Sequence, residues 1–216
     1  MNSMSSTRSQ RWFARWYPPL MQRVERDGQA AIRRDHLVTA QGSVLEIGAG
    51  NGFSVPHYPA AVEELVLLEP NPRFRAQLSE QVGAANVPAT IVDGDAHALP
   101  FADARFDTVA ASLVFCSLDD PARALAEVFR VLRPGGRFLF HEHVRGGGVR
   151  GVVQDLMAPM QRRLADGCRP NRDFASLLAA SPLDVESVTH LRMPTAVPTI
   201  VPLVVGTARR AFEPSR

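Results

Sequence analysis

Three short stretches of this 216-residue chain carry the residue types that could grip a ligand. The first is Glu46-Ile47-Gly48-Ala49-Gly50-Asn51-Gly52, where three glycines alternate. Side chains at those positions would obstruct a tight turn and the close approach of a ligand to the backbone. A helix after the loop is expected to offer unpaired N–H groups. Dinucleotide enzymes use G-x-G-x-x-G to hold a pyrophosphate, but the third position of that pattern is Phe53 here. Glu46, just before the loop, suits a cationic group such as an α-amine rather than a phosphate. Glu69 lies 19 residues after Gly50 and can accept hydrogen bonds from two ribose hydroxyls. Asp95, with the N–H of Ala96, can read an adenine edge. Together these groups describe an adenosine carrying an amino-acid tail and no phosphate.

Five stretches in unbroken order, VLEIGAGNG, LLEPNP, GDAHALPF, FDTVAASLVFCSL and EVFRVLRPGGRFLFHEH, resemble the consecutive motifs of class I S-adenosylmethionine-dependent methyltransferases. The resemblance covers about residues 40–145. It implies a Rossmann-like, seven-stranded, mostly parallel α/β sheet with helices on both faces and its last strand antiparallel. It implies that Gly48, Gly50 and Gly52, with Ala49 among them, cradle the methionine and ribose of S-adenosyl-L-methionine. It assigns the ribose to Glu69, followed by Pro70, and the adenine to Asp95 and Ala96. Ser112 and Leu113 fall where the family's methionine-side contacts lie. The stretches HYP, SLVFCSL, EHVRG and DGCRPNRD are further similar to a branch that includes animal alkyl-thiol S-methyltransferases. That similarity implies a small-molecule acceptor with a thiol favoured. A quinone, a lipid amine or a natural-product hydroxyl is the alternative, and a non-catalytic S-adenosylmethionine-binding partner is the alternative of another class.

Methyl transfer from a sulfonium needs alignment of the acceptor and exclusion of water. A base is needed only where the acceptor starts protonated. Beyond the fourth and fifth strands lie Cys116, His141, Glu142 and His143. His143 is the favoured general base or orienting group, because imidazole titrates near neutral pH. His141 shares its strand face but lies deeper. Cys116 reads as a small lining residue. Cys168, with Arg169 and Arg172, lies on a segment that could fold over the acceptor. The histidines and cysteines have no recognisable metal-ligand spacing, so no metal is expected.

The elements that must position these groups are legible as alternating apolar runs and helical periodicities. Strands are expected at 43–47, 65–69, 89–92, 107–114, 138–143, 184–191 and 201–208. Helices are expected at 72–82, 121–132, 149–165 and 173–180. Asn71 and Pro72 supply a cap and a first helical residue. Arg133-Pro134-Gly135-Gly136 is expected to stop the helix before it. Strand–helix alternation with short apolar strands predicts a parallel sheet covered on both faces, with its ligand at the carboxyl ends of the strands.

Residues 1–38 read as a helical appendage, broken near Pro18-Pro19, on a methyltransferase domain of residues 39–216. The appendage carries Trp12, Trp16 and the arginines 8, 11, 15, 23, 26, 33 and 34. Three roles are open to it: a lid, a peripheral membrane contact, or packing on the sheet domain. All 24 basic residues of the chain are arginine. The absence of lysine excludes P-loop NTPases, Schiff-base enzymes and protein kinases. A net charge of +2 gives no field that would favour nucleic acid. With two cysteines, no signal-peptide pattern and no long apolar run, a cytoplasmic protein without a transmembrane segment is expected. Oligomeric state is left open.

Overall fold

The computed structural model describes residues 19, 22–83, 85–164, 167–192 and 202–212. Seven strands form one sheet: β1 (Gly42–Ile47), β2 (Val62–Leu68), β3 (Ala89–Val92), β4 (Phe106–Ser112), β5 (Leu132–His143), β6 (Asp184–Arg192) and β7 (Pro202–Arg209). Their order is β3-β2-β1-β4-β5-β7-β6. Strands β1 to β5 pair in parallel, and β7 runs antiparallel to both neighbours. The order reverses between β1 and β4, which opens a crevice at the carboxyl ends of those two strands.

Helices α1 (Ala30–Leu37), α2 (Pro72–Val82), α3 (Pro121–Val131), α4 (Gly148–Leu164) and α5 (Phe174–Ala179) complete the chain order. Because successive strand residues point to opposite faces, each central strand feeds two cores. Leu45, Ile47, Val109, Phe138 and Phe140 meet Leu125 and Val128 of α3 and Phe174 and Leu178 of α5. Val44, Leu65, Leu67, Ala110 and Leu139 meet Leu37 of α1 and Leu78 of α2. Each such fully buried Leu, Val or Phe contributes about 1.5–3 kcal/mol over leaving it exposed. Helix α2 begins as the sequence expects: the Asn71 side chain accepts from Arg73 N, and Pro72 opens the helix. Asp120 caps α3 in the same way through Arg123 N.

Two expectations are corrected. The glycine loop is followed only by a single 3-10 turn, Val55–His57, rather than a full helix. Pro56 lies within that turn and Pro59 two residues after it, and neither can donate a backbone hydrogen bond to lengthen it. The helix α3 does end at Val131, just before Arg133-Pro134-Gly135-Gly136, as expected, but β5 starts at Leu132 rather than Phe138, with the stretch as an irregularity between the pairs Phe106–Leu132 and Thr108–Arg137. Gly135 adopts φ +80° there and donates its N–H to Arg210 O, while Arg210 N donates to Gly136 O. In the N-terminal region the described helix is also interrupted at Gly28, with φ 135°, inside a wide turn at Glu25–Gln29. Trp12, Trp16, Arg8, Arg11, Arg15 and the expected Pro18 break lie outside the described residues. Among the described residues, no helix is long and apolar enough to cross a membrane.

Candidate functional site

The glycine loop leaves β1 through Gly48, Gly50 and Gly52, with φ of +65°, +58° and +87°. This left-handed backbone is open to glycine at little cost. Two of the three also face close neighbours. A Cβ on Gly48 would lie 2.6 Å from Val114 Cγ2, and one on Gly52 would lie 2.9 Å from Leu78 Cδ1. A Cβ on Gly50 would meet nothing nearer than Gly48 O at 3.9 Å. Packing therefore explains the bareness of the outer glycines, while Gly50 fronts open space.

Glu69, at the end of β2, is buried. Its Oε2 accepts from Gly50 N at 2.9 Å and its Oε1 from Asn71 N at 2.8 Å. The carboxylate thus ties the glycine loop to the start of α2, and carboxylate oxygens can each accept more than one hydrogen bond. Ala49 N donates to Leu68 O, and the Arg75 guanidinium donates to the carbonyls of Glu69 and Pro70. These bonds fix the backbone on both sides of the crevice.

Glu46 is only 2% exposed and accepts from Tyr58 Oη at 3.1 Å. Burial raises its pKa, while Ser54, the charge of Arg33 and Tyr58 pull it back. Arg33 reaches this region from α1, donating to Ser54 Oγ at 2.9 Å and pairing with Glu25 Oε1 at 2.8 Å. The sequence reading has Glu46 meeting a ligand amine directly. The structure gives it an internal partner in Tyr58, on Oε2, and a carboxylate has further lone pairs with which to meet such an amine.

Asp95 is exposed at the end of β3, and Ala96 beside it is buried. Asp95 Oδ1 accepts from His97 N at 2.9 Å and contacts His97 Nδ1 at 2.6 Å. On the far side of the ring, Nε2 accepts from Asp120 N at 3.2 Å. That bond assigns the ring proton to Nδ1, which donates to Asp95. His97 therefore braces the Asp95 turn against the start of α3. Sequence reasoning quoted His97 inside a motif but gave it no role.

At the end of β4 the backbone turns sharply. Leu113 has φ +58°, which costs a residue with a Cβ about 1–2 kcal/mol. Its N–H donates to His141 O at 2.7 Å. The three following amides converge on one buried carboxylate. Glu142 Oε1 accepts from Val114 N at 2.7 Å and Phe115 N at 2.8 Å, and its Oε2 accepts from Cys116 N at 3.4 Å. Consecutive N–H groups of this kind form an anion-binding concavity. Burial raises the Glu142 pKa to about 7 despite these donors. Glu142 thus positions the loop after β4 rather than facing a ligand. Glu142→Gln places an NH2 group against N–H donors, and unfolding in urea should show a loss of about 1–3 kcal/mol. Wild-type stability in that variant would remove the carboxylate as the loop's anchor.

His141 is fully buried, with Gln29 Nε2 3.1 Å from its Nε2 and Ser112 Oγ 3.4 Å from its Nδ1. Burial drives its pKa well below the usual histidine value, so the ring is neutral. It links the N-terminal segment to β4 and β5, a tertiary role that its strand position alone did not reveal.

His143 ends β5, half-buried. Burial alone would lower its pKa, but the adjacent Cys116 and Glu142 reverse this and raise it. Cys116 is buried, its Sγ 3.5 Å from Leu113 O. Its thiol is pushed well up in pKa by the hydrogen bond with Cys168 and by burial. Cys168 stands 3.6 Å from Cys116 Sγ and 3.9 Å from His143 Nδ1. The segment around it does fold over the β4 loop. Arg169 N donates to Cys116 O, Arg169 pairs with Asp119 at 2.6 Å, and Arg172 donates to Leu118 O at 2.7 Å. The two arginines are thus engaged by the protein. Gln154 of α4 anchors the other side, donating to the carbonyls of Val144 and Pro170.

A doubly wound sheet whose glycine loop and carboxylates meet at the point of strand reversal is the architecture of a nucleotide- or nucleoside-binding enzyme. Residues 45–140 match the family model described as a methyltransferase domain. The human thiol S-methyltransferase TMT1A is 30% identical over 77% of this chain and 70% of its own length. The demethylmenaquinone methyltransferase of Renibacterium salmoninarum is 33% identical over 71% of this chain and 66% of its own. The chain spans 55–59% of the length of three further thiol S-methyltransferases, from rat, human and mouse. A SAM-dependent methyltransferase from Thermotoga maritima superposes with a TM-score of 0.67 at 20% identity, over 92% of this chain and 97% of that one. The chain belongs to the S-adenosylmethionine-dependent methyltransferases. The residues present fit that cofactor: Gly50 faces open space, the Glu69 carboxylate follows β2 beside the glycine loop, and Asp95 follows β3, the next strand out.

Proposed function

We propose that this enzyme methylates the sulfur of a small-molecule thiol. The observation that carries the reading is the relationship to human TMT1A, a thiol S-methyltransferase, across 70% of that protein. When bound, S-adenosylmethionine supplies a methyl group on a positively charged sulfonium, open to in-line displacement.

The chain's own residues would divide the remaining work. Gly48, Ala49, Gly50 and Gly52 allow the cofactor to approach the backbone. Glu69, beside Pro70, receives the ribose hydroxyls. Asp95, braced by His97, and the Ala96 N–H receive the adenine edge. The Glu46 carboxylate supplies negative charge beneath the amino-acid end, and Ser112 and Leu113 border it. His143 and Cys116 line the acceptor side, where His143 orients the acceptor. The segment carrying Cys168 and Arg169 excludes water, which holding a reactive pair in line requires. A thiol with a pKa near neutrality needs little help to ionise, so this site needs no strong base.

Labelled S-adenosylmethionine offered with alkyl thiols, phenols, quinols and lipid amines tests the acceptor class. Label is expected in a thioether. Transfer only to a quinol would favour the second reading, which the demethylmenaquinone relative supports. Asp95→Ala tests the adenine assignment: cofactor affinity should fall about 10-fold, as loss of a hydrogen bond to a charged group predicts. Unchanged affinity by calorimetry would move the adenine elsewhere.

A further inference from the structure

Cys116, His143 and Cys168 come from three separate elements, and no mechanism described above requires two thiols. Cys116 follows β4, His143 ends β5, and Cys168 lies on the segment after α4. Their ligand atoms nevertheless all lie within 4.8 Å of one another. We propose that these three side chains bind a thiophilic divalent cation of the zinc type, leaving a fourth position for the sulfur of the acceptor.

The distances support coordination. Zinc bonds thiolate sulfur at about 2.3 Å and imidazole nitrogen at about 2.0–2.1 Å, so a tetrahedron separates two sulfurs by about 3.8 Å and a sulfur from a nitrogen by about 3.6 Å. The observed separations are 3.6 Å between the sulfurs and 3.9 Å between Cys168 Sγ and His143 Nδ1. The third pair, Cys116 Sγ and His143, lies within 4.8 Å, so seating the ion needs the His143 ring and the Cys116 thiol to draw together by up to about an ångström. A disulfide would instead require the sulfurs to close to about 2.05 Å. The segment carrying Cys168 is already held in place through Arg169, Arg172 and Pro170.

The charges and protons balance as well. Each thiol releases one proton to solvent on binding, and the imidazole coordinates through its unprotonated nitrogen. Two thiolates neutralise the divalent ion. Nearby, the Glu142 carboxylate and the Arg172 guanidinium carry opposite signs and both act on Cys116. Among the described residues no fourth His, Cys, Asp or Glu joins the cluster. Three protein ligands with an open fourth position is the pattern of zinc sites that bind a reactant, whereas purely structural sites are closed by four. Cys168 and His143 are half-buried, so an acceptor can reach the position between them. An acceptor thiol arriving there would give its proton to solvent and bind as the thiolate. This fourth-ligand role rests on the thiol reading above; the ion site itself does not.

The test uses the full chain, reduced and treated with a chelator, then titrated with cobalt(II) as a spectroscopic probe. One equivalent is expected, with sulfur-to-cobalt charge transfer and the visible bands of a tetrahedral ion, and zinc should displace it. Cys168→Ser and His143→Gln, both at half-buried positions, should each bind at least about 100-fold more weakly; Cys116→Ser should do the same where it folds. No tetrahedral spectrum in the wild type, or undiminished affinity in both half-buried variants, overturns the site. A Cys116–Cys168 disulfide that forms in air and persists with excess zinc overturns it too. Adding an alkyl thiol without S-adenosylmethionine should shift the cobalt bands, and an unshifted spectrum removes the fourth-ligand role alone. Should the metal bind and no thiol be methylated, the acceptor reading fails while the ion site stands.

Discussion

Gly50→Ala should weaken S-adenosylmethionine binding by about 100-fold while leaving the protein folded. The expectation comes from the contrast between neighbouring glycines. At Gly50 a methyl group would project into space where no protein heavy atom lies nearer than 3.9 Å. Its φ of +58° adds strain of about 1–2 kcal/mol, a moderate part of a typical folding stability. The added carbon and the altered loop therefore fall chiefly on whatever occupies that space. Gly48→Ala should behave differently. Its Cβ would stand 2.6 Å from Val114 Cγ2, so the two loops must part and the fold itself should lose about 1–3 kcal/mol beyond the strain. Calorimetry for the cofactor and thermal unfolding for the protein separate the two outcomes. Wild-type cofactor affinity in Gly50→Ala would place the ligand away from this loop.

The second large effect is on stability. Arg33→Met should cost about 3–5 kcal/mol, because it removes the cation from a buried pair and strands the carboxylate of Glu25. Both side chains of that pair are less than a tenth exposed. Arg33 also holds Ser54 and lends its charge to Glu46. A double variant, Arg33→Met with Glu25→Leu, should recover most of the loss, since replacing a whole buried ion pair with apolar groups is often neutral.

The deficit should depend on pH. Burial already raises the Glu46 carboxyl in the folded protein, and without Arg33 it rises further. A carboxyl raised in the folded state binds more protons there than when unfolded, so stability falls as pH rises through the interval between its two pKa values. The Arg33→Met deficit should therefore be larger at pH 8 than at about pH 3, below the unfolded carboxyl value of 4.5, where both states are protonated. Urea titrations at the two pH values check this. A deficit that grows on acidification would contradict the buried-carboxylate account. A negligible loss at both would show that the N-terminal segment adds little to the sheet domain.

The same pair bears on what residues 25–37 do. Gln29 reaches His141, Arg33 reaches Ser54, and Leu37 enters the core beside Leu78 and Leu139. This part of the appendage packs on the domain. Its polar contacts lead to side chains of the β1 loop and the β5 end, so a change there would be felt at both sides of the crevice.

Signals confined to neighbouring residues were readable in advance. Asn71 and Pro72 announce α2, apolar spacing at Ala124, Leu125, Val128 and Val131 announces α3, and glycine alternation announces the turn after β1, because caps, helical faces and left-handed turns depend on a few consecutive residues. The approximate positions of all seven strands were legible for the same reason. The start of β5 was not: that Leu132 pairs with Phe106, ahead of the irregular Arg133-Pro134-Gly135-Gly136 stretch held by Arg210, depends on residues remote in sequence. Nor was the convergence of three loop amides on Glu142, the bracing of Asp95 by His97 against α3, or the internal partners of Glu46. The meeting of Cys116 with Cys168 across 52 residues, and of Cys168 with His143 across 25, follows no ligand spacing at all. Strand order and the anchoring of the segment after α4 create it, and those arise from packing between elements that no short window of sequence contains.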